Sequence, residues 1–198
     1  MTPVSFRFEA LADGHDRAAF CCGDDALDRY FQTQATQDIR RRIANCFVIV
    51  ETTASQVAAY YTLSAASIPL VDLPPDEAKR LPRYPTLPAV RIGRLAVDQR
   101  FQRRGLGELM QMNAVHRTIQ DAAAAFALLV DAKNDQATAF YRRYGFRPVV
   151  DKPRTLFLPL VTAQKMHVTA AAAGPATSSA ADPSLPASRY QTETSRRT

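Results

Sequence analysis

The sequence is poor in the residue types that build disulfide-rich, metal-binding and membrane proteins. Its 198 residues include 3 cysteines, 3 histidines and no tryptophan. Cys21, Cys22 and Cys46 form an odd set without metal-ligand spacing, so we expect reduced thiols in a cytoplasmic protein and no metal site. No apolar run approaches the roughly 20 residues of a membrane-spanning helix. The first residues also lack the basic and apolar segments of a secretory signal.

Positive charge is concentrated in the second part of the chain. Residues 1–78 carry 6 Lys/Arg against 11 Asp/Glu, whereas residues 79–154 carry 15 against 6. Such a basic region suits a polyanionic partner, either a phosphorylated cofactor or RNA. A basic face that is only solvated is the alternative, and charge by itself does not distinguish the two.

Composition divides the chain into a domain and a tail. Residues 1–161 have the apolar content of one globular domain, whereas residues 162–198 are rich in Ala, Ser, Thr and Pro. A segment of that composition buries too little surface to offset the entropy of ordering. We therefore predict a folded domain that ends near Val161 and a disordered tail beyond it.

Helical and strand periodicities alternate within the domain. The patterns predict helices at 24–44, 76–81, 105–123 and 134–144, and strands at 4–8, 46–50, 57–63, 90–97, 126–130, 146–150 and 155–160. Six prolines between residues 69 and 88 argue against a long regular element there. The mixture of strands and helices predicts an α/β or α+β domain around one central sheet.

Two of the 7 glycines, Gly105 and Gly107, stand where a predicted strand is followed by a helix. The first turn of a helix has N–H groups without partners and a partial positive charge. Because glycine has no Cβ, a phosphate can approach those groups, and Arg103 and Arg104 add charge. A Gly-x-Gly pair can also serve only to relieve strain in a turn. The loop is not a P-loop, because the pattern G-x-x-x-x-G-K-[ST] is absent. It is not a dinucleotide fingerprint either, because Met110 stands in place of the third glycine.

The surroundings of this loop resemble a known family. RLAVDQRFQRRGLG is followed by a helix, a strand and NDQATAFYRRYGF, and this pair of motifs is similar to that of the GNAT N-acetyltransferase superfamily. The similarity extends over the domain from Val4 to Leu160. It implies an α/β (α+β) fold of the GNAT type. Such a fold has a central mixed, mostly antiparallel sheet of six to seven strands, splayed in the middle and flanked by about four helices.

The resemblance also implies acetyl-CoA as the cofactor. In the family, the strand that corresponds to Leu95, Ala96 and Val97 pairs through its backbone with the pantetheine amides. The glycine loop surrounds the diphosphate, and the next helix begins beside the pantetheine arm. The residues implied for cofactor binding are Leu95, Ala96, Val97, Arg103, Arg104, Gly105, Leu106, Gly107, Glu108, Asn134 and Phe140. Phe140 is expected to pack its helix onto the sheet as well.

Tyr141 is the predicted catalytic residue. It matches the tyrosine that many GNAT enzymes place beside the sulfur of CoA. A phenol with a pKa of about 10 can protonate a departing thiolate whose acid has a pKa of about 8.5; the alternative is a tyrosine that only packs. The strand at 90–97 contains no Asp or Glu to act as a general base. This favours an α-amine, with a pKa of about 7.7–8.0, over a lysine amine near 10.4 as the acceptor.

A narrower resemblance concerns the substrate. CGDDALDRYF, YYTLS and the proline-rich connector to RIGRLAVD are similar to the GNAT toxins of type II toxin–antitoxin modules, which acetylate aminoacyl-tRNA and block translation. The resemblance implies a ribbon-helix-helix antitoxin and a homodimer. The residues expected to bind tRNA phosphates are Arg40, Arg41, Arg42, Arg91, Arg94, Arg142, Arg143 and Arg147. Two other hypotheses remain: a GNAT enzyme for a small amine or a protein N-terminus, and a non-catalytic module that binds CoA.

Overall fold

A seven-stranded sheet is the centre of the computed structural model, which describes residues 5–120 and 124–165. Its strands are β1 (Phe6–Ala10), β2 (Asn45–Glu51), β3 (Gln56–Pro69), β4 (Thr86–Val97), β5 (Ala127–Asp131), β6 (Arg147–Val149) and β7 (Lys152–Pro159). Their spatial order is β1-β2-β3-β4-β5-β7-β6. Every neighbouring pair is antiparallel except β4 and β5, which confirms the predicted mixed, mostly antiparallel sheet.

Helices cover both faces of the sheet. In the described ranges they are α1 (Asp25–Thr33), α2 (Ala35–Arg40), α3 (Pro75–Ala78), α4 (Leu106–Gln120) and α5 (Asp135–Arg143), followed by a helical segment at 160–165. Neighbouring residues of a strand point to opposite faces. Accordingly, Tyr60 packs in one core cluster with Phe31 of α1, and Tyr61 packs in another with Met110 of α4. The rings of Phe31 and Tyr60 are stacked with 4.2 Å between their centroids.

The sheet opens in its middle, between β4 and β5. These two strands pair only from Ala89 to Ile92 of β4. Beyond Ile92, β4 stays paired with β3 up to Val97, whereas Asp131 of β5 pairs with Thr155 of β7. One edge of β4 therefore has no strand partner after Ile92, as the predicted splay requires. A register shift between β3 and β4 lies at the same place, and such irregularities increase the local twist of a strand.

The predicted single helix from residue 24 to residue 44 is wrong in its length. The structure divides it into α1 and α2 and ends it at Arg40. Arg42 adopts a left-handed backbone conformation with φ 56°, and the N–H of Ile43 donates to the carbonyl of Asp38 at 2.9 Å. Helices commonly end in this way, because the last carbonyls are satisfied locally. Apolar periodicity continues through the region and gave no sign of the turn.

The prolines between residues 69 and 88 do not prevent long strands. β3 continues to Pro69, and β4 begins at Thr86 and includes Pro88. The prediction that this region contains no long regular element is therefore wrong at both of its ends. Pro88 precedes Ala89, where the pairing of β4 with β5 begins. Pro88 therefore lies just outside the pairing with β5, and a missing N–H group is tolerated there as it is on an edge strand.

The described part of the chain continues past the predicted domain boundary at residue 161. Residues 160–165 are helical, and the N–H of Leu160 donates to the carbonyl of Phe126 at 2.9 Å. Ala163 is buried in the main core cluster. The rest of the predicted tail, residues 166–198, lies outside the described residues. Within the described ranges, no helix has both the length and the apolar character needed to cross a membrane.

Candidate active site

The side chain of Asp98 connects the end of β4 to the N-terminal part of the chain through hydrogen bonds. This side chain is 1% exposed and accepts hydrogen bonds from the N–H of Cys21 at 3.0 Å and the N–H of Arg100 at 2.9 Å. The guanidinium of Arg100 donates two more, at 2.8 and 2.9 Å. We did not predict a function for Asp98 from the sequence, although its position directly after the RLAV strand was an available signal.

Replacing Asp98 with asparagine is expected to lower the free energy of unfolding by about 2–3 kcal/mol, because Arg100 loses its charged acceptor. Burial alone would raise the pKa of Asp98, but hydrogen bonds from Arg100 and the backbone N–H of Cys21 lower it below its ordinary value of 3.8. A carboxyl group whose pKa is lower in the folded protein than in the unfolded chain stabilises the fold at pH values above its pKa in the unfolded chain. This stabilisation is lost as the pH falls through its pKa in the folded protein. Urea unfolding should therefore show a smaller difference from wild type at about pH 3 than at about pH 7.

The matched control is Asp76→Asn, which removes an exposed carboxylate from α3. Its free energy of unfolding is expected to stay within about 0.5 kcal/mol of the wild-type value. An Asp98 variant that is as stable as wild type at neutral pH would contradict the anchoring function of this carboxylate.

The first turn of α4 has free backbone donors. Gly105 has φ 77° and Arg103 has φ 61°, so the preceding loop turns through two left-handed residues. Among the described residues, no group accepts a hydrogen bond from the N–H groups of Leu106, Gly107 and Glu108. A Cβ added at Gly105 would meet no atom within 4 Å, so the described chain leaves the space beside Gly105 open. Free N–H groups at a positive helix end fit a diphosphate.

A cleft of about 710 Å³ lies between this helix end, the unpaired edge of β4 and α5. The predicted site residues that line it are Leu95, Ala96, Val97, Arg103, Gly107, Asn134, Phe140 and Tyr141. Gln102, which belongs to the predicted glycine loop, lines it as well. The lining residues that sequence reasoning missed are Cys22, Gly23, Asp24, Leu27, Lys133, Gln136 and Ala137. The segment from Cys22 to Leu27 reaches the cleft because Asp98 holds the preceding residue, Cys21, across 77 positions of the chain.

Four predicted cofactor residues do not line the cleft. Leu106 is buried in the core, and the guanidinium of Arg104 lies 5.5 Å from the centre of a phenylalanine ring. Glu108 is hydrogen-bonded to Tyr144, the residue directly after α5. Gly105 has no side chain. Leu106 and Gly105 can therefore contribute to ligand binding only through their backbone.

Gly107 of α4 and Asn134, which directly precedes α5, both line the cleft. A Cβ added at Gly107 would lie 3.9 Å from Cζ of Phe140, which is an ordinary van der Waals distance, so the packing of Phe140 leaves room for a small side chain there. Asn134 caps α5, because its Oδ1 accepts a hydrogen bond from the N–H of Ala137 at 2.9 Å. Asn134 thus has a structural function in addition to its place in the cleft wall.

Tyr141 lies on the inner side of α5. It is 6% exposed and packs against the rings of Phe140 and Phe146, with centroid distances of 5.1 and 5.3 Å. Its hydroxyl has no hydrogen-bond partner among the described residues. Burial raises the pKa of Tyr141 well above its ordinary value of 10, so the hydroxyl keeps its proton at neutral pH. A protonated phenol in a cavity wall is suited to proton donation.

A second cavity, of about 410 Å³, adjoins the cleft at the opening between β4 and β5. The residues that line both spaces are Asp24, Leu27, Leu95, Lys133, Ala137 and Tyr141. Tyr141 therefore lies where a group bound in one space would meet a group bound in the other. β4 carries no carboxylate, but Asp24 and Asp131 supply two to the second cavity. We missed both in the sequence.

The eight arginines predicted to bind tRNA have different surroundings. Three are paired with carboxylates, as Arg40–Asp13, Arg91–Asp131 and Arg147–Glu77. Arg94 lines the second cavity and stacks on Tyr30, 3.5 Å from the ring centroid. Arg143 is hydrogen-bonded to Tyr144. In the described part of the chain, those exposed without a carboxylate or aromatic partner are Arg41, Arg42 and Arg142.

Sequence comparison relates the chain to known acetyltransferases. Residues 81–165 match the family described as "Acetyltransferase (GNAT) domain". The tRNA-acetylating toxin of Mycobacterium tuberculosis is 30% identical over 158 residues, which cover 79% of this chain and 93% of that protein. "Probable toxin TacT" of Sinorhizobium fredii is 29% identical over 161 residues, which cover 77% of this chain and 89% of that protein.

Solved structures of similar toxins share the fold. AtaT complexed with acetyl-methionyl-tRNAfMet has a TM-score of 0.75 at 29% identity and covers 82% of this chain and 99% of its own. AtaTR bound with acetyl-CoA has a TM-score of 0.70 at 28% identity, with 82% and 98% covered. An AtaT variant bound to the C-terminus of the antitoxin AtaR has a TM-score of 0.68 at 27% identity, with 81% and 97% covered. The chain therefore belongs to the GNAT acetyltransferases, in the group of the tRNA-acetylating toxins, and is an acetyl-CoA-dependent N-acetyltransferase.

Proposed function

We propose that this enzyme is a toxin that acetylates the α-amino group of an aminoacyl-tRNA and thereby blocks translation. The observation that carries the proposal is the position of Tyr141 in the wall shared by the cleft and the second cavity. A donor in one space and an acceptor in the other would meet beside its hydroxyl. The similarity to the tRNA-acetylating toxin of M. tuberculosis and to AtaT with its acetylated tRNA supports this acceptor.

The cleft has the groups needed to hold the acetyl donor. When bound, acetyl-CoA supplies an acetyl group activated as a thioester. The N–H groups of Leu106, Gly107 and Glu108 would hold the diphosphate, with Arg103 adding positive charge. The unpaired edge of β4 at Leu95–Val97 offers backbone groups to the pantetheine amides, and its N–H groups can polarise a carbonyl. Tyr141 holds a proton at its phenol oxygen, where a departing thiolate requires one.

The absence of a carboxylate from β4 favours an α-amine as the acceptor. An α-amino group with a pKa of about 7.7–8.0 is partly neutral at physiological pH, whereas a lysine amine with a pKa near 10.4 is almost fully protonated. Only the neutral amine has the lone pair that attacks a carbonyl carbon. The lack of a base on β4 therefore favours an acceptor that is already partly neutral.

The phosphates of tRNA would meet the exposed arginines. Arg41, Arg42 and Arg142 have no carboxylate partner among the described residues, so they can bind phosphate without first losing an ion pair. Arg94, at the second cavity, is available to the end of the acceptor strand. The arginines that are paired with carboxylates would have to exchange the carboxylate for a phosphate, so we assign them smaller contributions to tRNA binding. Contacts of this kind weaken steeply as the salt concentration rises.

Mass spectrometry of charged tRNA after incubation with the protein and isotope-labelled acetyl-CoA tests the proposal. Label is expected on the α-amino group of the aminoacyl moiety, and uncharged tRNA is expected to stay unlabelled. A small amine and a peptide with a free N-terminus, incubated in parallel, test the other acceptors. Label on either of these, with none on any aminoacyl-tRNA, would refute tRNA as the substrate and leave the acetyltransferase activity intact.

We also propose that the toxin acts in the cytoplasm, where charged tRNA is present, as a homodimer that a ribbon-helix-helix antitoxin keeps inactive. The structure of an AtaT variant with the C-terminus of AtaR supports control by a bound antitoxin. An antitoxin segment that covers the cleft or the second cavity would keep the two substrates from meeting at Tyr141, and this would be sufficient for inhibition.

A further inference from the structure

Two charged side chains lie in the wall between the cleft and the second cavity. Of the residues that line both spaces, Asp24 and Lys133 are the charged ones. Asp24 directly precedes α1 and Lys133 lies between β5 and α5, so they are 109 positions apart in the chain. Their side chains form an ion pair. Because Tyr141 belongs to the same wall, this pair lies beside the place where acetyl donor and acceptor would meet.

The two partners of the ion pair differ in how firmly they are held. The side chain of Asp24 is 18% exposed, and its Oδ1 accepts hydrogen bonds from the N–H groups of Ala26 at 3.0 Å and Leu27 at 3.4 Å. Asp24 thereby caps α1. Its Oδ2 accepts a hydrogen bond from Nζ of Lys133, whose side chain is 71% exposed. Ion pairs with so exposed a lysine contribute little to stability. The carboxylate is therefore fixed, and its ammonium partner is replaceable.

The other carboxylate of the second cavity has two partners. Asp131 is bound by the guanidinium of Arg91, and its Oδ1 accepts a hydrogen bond from the hydroxyl of Thr155 at 2.7 Å. The hydrogen bond from Lys133, more than any other contact, lowers the pKa of Asp24, so Asp24 is ionised at neutral pH. Of the two carboxylates, Asp24 is the one that can exchange its partner for an incoming amine.

We propose that Asp24 receives the acceptor amine at the junction of the two cavities, in the position that the ammonium group of Lys133 occupies in the structure. This inference rests on the α-amine acceptor proposed above. The nitrogen of a neutral amine gains positive charge as it attacks an acyl carbon, and a carboxylate already beside it stabilises that charge. The new amide bond replaces the thioester bond. The proton of the nitrogen passes to Asp24, Tyr141 supplies the proton of the thiol, and solvent carries one proton back from Asp24 to Tyr141.

A comparison of Asp24→Asn with Lys133→Gln tests this proposal. Asparagine caps a helix as well as aspartate does, so Asp24→Asn removes the charge and keeps α1. Its kcat/KM for the acceptor is expected to fall about 100-fold, with an unchanged Kd for acetyl-CoA. Lys133→Gln removes the competing ammonium group, so the KM for the acceptor is expected to fall about two- to fivefold. A purely structural ion pair predicts the same loss in both variants.

Asp25→Asn is the matched control, because Asp25 is exposed next to Asp24 and lines neither space; wild-type kinetics are expected. Each enzyme is assayed with charged tRNA and with an amino-acid methyl ester. Equal losses of activity and of Tm in the Asp24 and Lys133 variants would overturn the proposal, and so would wild-type kinetics in Asp24→Asn.

The two acceptors separate this inference from the function on which it rests. Acetylation of the ester alone would refute tRNA as the substrate. The kinetics of the Asp24 and Lys133 variants with the ester would then test the inference about Asp24. A wild-type protein that acetylates neither acceptor would overturn both proposals.

Discussion

Replacement of Tyr141 by phenylalanine is expected to lower kcat by about 10²–10⁴-fold, the range for loss of a positioned general acid. The variant loses the hydroxyl that would protonate the departing thiolate. Its ring contacts with Phe140 and Phe146 remain, and the hydroxyl has no hydrogen-bond partner among the described residues. The fold and the affinity for acetyl-CoA should therefore be retained. In cells, expression of the wild type is expected to arrest growth, and the variant is expected to relieve that arrest.

Three measurements check this expectation: kcat with charged tRNA, Kd for acetyl-CoA by calorimetry, and Tm. The matched control is Tyr144→Phe, since Tyr144 lies three residues further along the same segment and its hydroxyl bonds to Glu108, away from both cavities. We expect wild-type kcat for this control. Wild-type kcat in Tyr141→Phe would show that another group, such as water, protonates the thiolate.

Replacement of Gly105 by alanine is expected to weaken acetyl-CoA binding roughly tenfold, equivalent to about 1.4 kcal/mol. Gly105 has φ 77°, and a residue with a Cβ pays about 1–2 kcal/mol for a left-handed conformation. An added Cβ would meet no atom within 4 Å, so the cost is conformational rather than steric. The loop can relieve it only by moving, which displaces the free N–H groups of Leu106 and Gly107.

Calorimetry with acetyl-CoA measures the loss of affinity, and thermal unfolding measures the conformational cost to the stability of the protein. Gly14→Ala is the matched control, because a Cβ at Gly14 also meets no atom within 4 Å and its φ is not positive. We expect unchanged binding and stability for the control. A Gly105 variant with a lower Tm but the wild-type Kd would indicate that the first turn of α4 does not hold the diphosphate.

Much of the fold could be predicted because its signals are local. Two apolar runs placed β2 and β3, and the helix predicted at 134–144 ends just before Gly145, which has φ 85°. The glycine loop and Tyr141 were found because strand, loop and helix follow one another in the chain. The predictions that failed concerned lengths. α2 ended early through a backbone turn at Arg42, and the strands continued through Pro69 and Pro88 because the pairing of the sheet tolerated them.

The sequence by itself determined the order of the elements, the bare helix end at Gly105 and the tyrosine on α5, because each depends on residues close together in the chain. Only the tertiary structure decided which distant groups complete the site. Asp98 holds Cys21 across 77 positions, and Asp24 meets Lys133 across 109. It also decided which arginines are neutralised, since carboxylates on other elements engage Arg91 and Arg147. Such contacts depend on how the two faces of the sheet are packed, and no local pattern encodes that.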